Sequence, residues 1–62
     1  MKEPIELARG FAERALMERL PRTPAEKRDK LLQRIAGVRA GIADTAPEVV
    51  SARLAVEWAR MH

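Results

Sequence analysis

The sequence contains no cysteine, tyrosine or asparagine, and its one histidine is the terminal His62. Lack of cysteine excludes a disulfide, and one imidazole with no thiol cannot build a structural zinc site. A chain of 62 residues removes only about 60 % of its unfolded surface on folding, so domains of this size usually need a staple. With disulfide and zinc set aside, close helix packing, self-association or a partner must serve. No cofactor or metal is expected. No stretch of about 18 apolar residues occurs, so no membrane span is expected. The opening Met1-Lys2-Glu3-Pro4 lacks the apolar core of a secretory signal, and the expected compartment is the cytoplasm.

Chemistry-bearing side chains are also sparse. Ser51 is the only serine, and no histidine stands within the body of the chain to serve as its base. Glu3, Glu6, Glu13 and Glu18 are interleaved with Arg9, Arg14 and Arg19, an arrangement suited to surface pairs such as Arg9 with Glu13 and Glu18 with Arg22. No catalytic residue and no small-molecule substrate is expected. Aromatics are limited to Phe11 and Trp58.

What is present favours helix. Hydrophobic residues make up 47 % and charged residues 34 % of the chain, a folding rather than a disordered balance. The abundance of alanine and arginine suits helices and fits a GC-rich bacterial genome. The expected fold is all-α: three helices over about residues 4–20, 24–43 and 46–61. They would be joined by short proline-containing turns and form one small bundle spanning 1–62, completed by self-association. Pro4 suits a first helical turn, and Leu20 before Pro21 should end the first helix. Thr23 with Glu26 and Thr45 with Glu48 have the spacing of capping boxes, each beside a proline.

The helix faces carry the functional expectations. Leu7, Ala8, Phe11, Ala12 and Leu16, with Ile5 and Ala15, cover a wide arc of the first helix. Leu31, Ile35, Val38 and Ile42 form a core seam on the second. Gly37 and Gly41, four apart, would let another helix cross closely, since two glycines inside a helix cost about 1 kcal/mol each against alanine. The third helix bears two apolar stripes, Val49–Ala52–Val56–Ala59 and Val50–Leu54–Trp58–Met61. One stripe suffices for a bundle, so the second implies another buried surface, most simply in a homodimer. Trp58 would be either a core plug or an interface anchor.

Positive charge is local. Arg19, Arg22, Lys27, Arg28, Lys30 and Arg34 face only Glu26 and Asp29 within this elbow, in a chain of formal net charge +3. Arg22, Lys27, Lys30 and Arg34 are the candidates for phosphate contacts if nucleic acid is a partner. A helix-turn-helix between Ala36 and Leu54 is a weaker reading, because Ser51, Arg53 and Glu57 offer no coherent base-reading face. The leading expectation is a small regulatory or accessory protein, not an enzyme, that binds protein and forms a homodimer through Gly37, Gly41, Val50, Leu54, Trp58 and Met61. A nucleic-acid-binding regulator and a small subunit of a larger enzyme complex are the alternatives.

Overall fold

The structure is a computed structural model that describes residues 3–61; His62, expected to be frayed and solvated, lies outside them. Helix α1 spans Pro4–Arg19, α2 Ala25–Arg39 and α3 Pro47–Met61, with one 3-10 turn at Leu20–Arg22. The three helices pack against each other, with α1 as the hub: it lies against both α2 and α3, which barely touch each other. No strand occurs among the described residues.

The core is a row of small and aliphatic side chains along α1, covered from two sides. Ala8, Ala12 and Leu16 of α1 meet Leu31, Ile35 and Val38 of α2 and Val49 of α3, with Val56 also buried. The alanines allow two helices to approach α1 closely, and Leu16, fully buried, supplies bulk where they converge. Ile42 does not join the seam expected on α2, because it is 83 % exposed.

The reason lies in how α2 ends. The helix stops at Arg39, four residues before the expected Ala43, and Gly41 follows with φ +76°. The Gly41 N–H donates to the Val38 carbonyl and the Ile42 N–H to the Gly37 carbonyl. This is a Schellman ending, in which a left-handed glycine satisfies carbonyls that have lost their helical donors. Gly41 is therefore the terminator of α2 rather than one half of a glycine pair inside it. Gly37 stays in the helix, where a Cβ would sit 3.4 Å from Ala43.

Neither helix start uses the expected capping box. Pro24 holds the cap position of α2 with no side-chain cap. Thr23 Oγ1 instead donates back to the Arg19 carbonyl at 2.6 Å, and Arg28 Nε donates to the Thr23 carbonyl. Helix α3 begins with Pro47 in its first turn, so Ala46 rather than Thr45 holds the cap position, and its carbonyl accepts from Val49 and Val50. Leu20 remains helical before Pro21, with φ −53° and ψ −48°, and the 3-10 turn carries the chain round the corner.

Most of the ion pairs link different elements; only Arg53 with Glu57 joins neighbours on one helix among the described residues. Arg9 pairs with Asp44, Glu13 with Arg39, and Glu48 with both Arg34 and Arg19. The expected Arg9–Glu13 pair is thus replaced by two long-range pairs. Glu48 joins the start of α3 to the end of α1 and to α2, a helix that α3 otherwise barely touches.

Candidate interaction surface

Helix α3 presents two faces of opposite fate. Val49 and Val56 point into the bundle and are buried, with Ala52 half-buried beside them. Val50, Leu54, Trp58 and Met61 lie on the other side, 45, 62, 65 and 79 % exposed. At 100° per residue Leu54 and Trp58 fall nearly opposite Val49 and Val56, so this stripe faces directly away from the core. Trp58 is consequently not the core plug that one reading of the sequence allowed.

Beside the stripe, an open groove of about 430 Å³ runs between α1 and α3 over Leu7, Phe11, Ala52, Ala55, Val56 and Ala59. Phe11 is 52 % and Leu7 37 % exposed, so these two sit at the edge of α1's apolar arc rather than in the core. The sequence placed them within the wide apolar arc of the first helix without separating its buried part from its edge. The available signal was the match between Leu7 and Phe11, four apart, and the alanine track 52, 55 and 59. The groove, which Arg60 also lines, and the outward stripe are two separate apolar features of α3.

The bundle is elongated. The described chain measures 41 × 20 × 18 Å with a radius of gyration of 12.3 Å, against about 10.5 Å for a compact chain of this length. Its accessible surface is 4842 Å² at a mass of 7.0 kDa, about 800 Å² above the ~4,000 Å² usual for a folded monomer of that mass.

The other sequence-selected residues are placed elsewhere. Gly37 and Gly41 lie at the C-terminal end of α2, Gly41 under the Arg9 guanidinium, and they do not join the α3 stripe. Arg22, Lys27, Lys30 and Arg34 are all exposed. Lys27, Lys30 and Arg34, with Arg19, Thr23 and Leu31, line an open groove of about 410 Å³. Arg34 and Arg19 both pair with Glu48, so part of the elbow's charge is neutralised within the chain. The helix-turn-helix geometry is not formed: the connection from Ala40 to Ala46 is longer than the motif's three or four residues, and α2 and α3 scarcely touch.

Among the described residues no three His, Cys, Asp or Glu side chains gather as a metal site would require. No described helix is long and apolar enough to cross a membrane. No protein-family model, curated protein or solved structure matches this chain.

Proposed function

We propose that this chain is a small non-enzymatic regulatory or accessory protein that works by binding protein, in the first place as a homodimer. The observation that supports this is the outward face of α3, where Val50, Leu54, Trp58 and Met61 are all exposed on one continuous stripe. Scattered apolar residues are ordinary on a surface, but a contiguous patch of this kind marks an association site. A tryptophan within it fits, since aromatic anchors dominate binding energy at protein interfaces. The grooves between its helices are open to solvent rather than enclosed, whereas substrate pockets bury most of their ligand.

The partial neutralisation of the basic elbow by Glu48 favours this reading over a nucleic-acid regulator. Affinity for phosphates grows with the number of free cations that release counterions, and here Arg19 and Arg34 are already engaged. Sedimentation equilibrium at micromolar concentration tests the proposal. Twice the 7.0 kDa chain mass is expected; a mass that stays at the single-chain value at every concentration overturns the homodimer.

A further inference from the structure

The outer face of α3 has an internal symmetry that names its own occupant. Along it stand Pro47, Val50, Leu54, Trp58 and Met61, all exposed. Their spacing is palindromic about Leu54: Val50 and Trp58 lie four residues to either side, Pro47 and Met61 seven. We propose that two copies of this chain pair α3 against α3 in antiparallel fashion, with the two-fold axis passing through Leu54. This proposal rests on the self-association argued above and adds its geometry.

A two-fold axis at Leu54 sets Leu54 against its own copy, Val50 against the copy's Trp58, and Pro47 against the copy's Met61. Every layer is then apolar, and the largest side chain meets a small one, as interdigitated packing requires. A parallel pair would stack Trp58 on Trp58 and Val50 on Val50, giving one overfilled and one underfilled layer. It would also place like ends of the helix dipoles together, which the antiparallel pair avoids. Charges agree with the same register. Arg53 falls opposite Ala55, Glu57 opposite Ser51, and Glu48 at the same level as the copy's Arg60, so no like charges share a level. Ser51 and Ala55, small residues flanking Leu54, allow the two helices to come close at the axis.

An isologous pair uses one patch twice, so a single stripe suffices.

Because the chain has no cysteine, single cysteines report the register without background. Leu54→Cys, Val50→Cys, Trp58→Cys, Pro47→Cys and Met61→Cys all alter exposed positions, and Gln33→Cys on exposed α2 gives the collisional background. Under mild oxidation of the full chain, Leu54→Cys should cross-link with itself to near completion. Val50→Cys alone and Trp58→Cys alone should stay at background, yet cross-link when mixed. Removing Trp58 weakens the pair, so the mixture of Pro47→Cys with Met61→Cys checks the same register with the tryptophan in place. Equal self-cross-linking of the Val50, Leu54 and Trp58 variants would show a parallel pair and overturn the proposal. A chain of doubled mass whose Leu54→Cys variant stays at background would overturn the register while leaving self-association standing. Single-chain mass at every concentration overturns both, and binding of such a monomer to lipid vesicles would give this face to a membrane surface instead.

Discussion

The guanidinium of Arg9 on α1 grips the carboxylate of Asp44 through two hydrogen bonds, Nε to Oδ1 at 2.8 Å and Nη2 to Oδ2 at 2.6 Å. The pair lies over Gly41, whose missing Cβ would come 3.1 Å from the Arg9 Cζ. One bidentate clamp thereby fastens the connection between α2 and α3 to the hub helix. Nearly all the contact that α3 makes within the chain is with α1, so the clamp helps to set where α3, and with it the exposed stripe, is held.

Acid should release this clamp. The hydrogen bond from Arg9 has the largest effect on the Asp44 carboxyl; burial opposes it, but with the charges of Arg9 and Arg53 added the group is held below its ordinary value of 3.8. For Glu48, burial pushes upward, but its own backbone amide and Arg34, helped by the charge of Arg19, outweigh it and the net shift is below 4.5. A carboxyl with a depressed folded pKa contributes stability above its unfolded pKa and loses it as pH falls through the folded one. Melting temperature should therefore be flat near neutrality and fall once pH drops below about 4. Asp44→Asn should lower the melting temperature at pH 7 and flatten the acid limb, as circular dichroism melts at several pH values will show. An unchanged acid limb in both Asp44→Asn and Glu48→Gln would mean that neither group supplies this stability.

Gly41 and Gly37 should respond oppositely to alanine. At Gly41, φ +76° is a left-handed conformation that costs an L-residue about 1–2 kcal/mol, and the new Cβ would also press on Arg9. At Gly37 the Cβ would make an ordinary contact with Ala43, so the helix-propensity gain of about 0.5–1 kcal/mol should appear as stabilisation. Denaturant titration of Gly41→Ala and Gly37→Ala measures both. Strong destabilisation by Gly37→Ala would restore the close helix crossing read from the sequence.

These two glycines show where the sequence was legible and where it was not. Proline and apolar periodicity placed three helices with ends correct to within a residue or so, except at the end of α2. There Gly37 and Gly41 share the four-residue spacing of a crossing motif, yet only backbone geometry separates a glycine inside a helix from one that ends it. The same ambiguity misplaced Ile42, which would extend the seam only if α2 continued. Capping boxes failed for a related reason: Thr23 and Glu48 found partners in Arg19, Arg34 and the turn, which local spacing cannot foresee. The long-range pairs Arg9–Asp44 and Glu13–Arg39 likewise depend on packing. The two stripes of α3 were readable as periodicity, and the structure assigns the Val49 side to the core and leaves the Trp58 side outside.

Core substitutions should separate true core from apparent seam. Leu16 is fully buried where α1 meets the other helices, whereas Ile42 is 83 % exposed. Leu16→Ala should cost about 2–5 kcal/mol, a large share of the roughly 3–9 kcal/mol expected for a domain of this length. Its melting temperature by circular dichroism should fall by roughly 10–30 °C. Ile42→Ala should change stability by no more than about 0.5 kcal/mol. Comparable losses from the two would place Ile42 in a buried site that the single chain does not show.

Trp58 offers a direct reading of association, because it is the only tryptophan and there is no tyrosine. In the isolated chain it is 65 % exposed, so its emission at high dilution should be that of a solvated indole. Burial against Val50 of a second copy removes water from the ring, and the emission maximum should move to shorter wavelength as concentration rises. The shift should follow the same concentration dependence as the mass. Leu54→Arg places two cations on the proposed axis, where repulsion and desolvation oppose pairing. Since Leu54 is 62 % exposed and faces away from the core, this variant should keep its helical circular dichroism. It should also keep solvated Trp58 emission and single-chain mass at concentrations where the unsubstituted chain pairs. Emission that stays constant while the mass doubles would place Trp58 outside the interface and assign the pairing to another face.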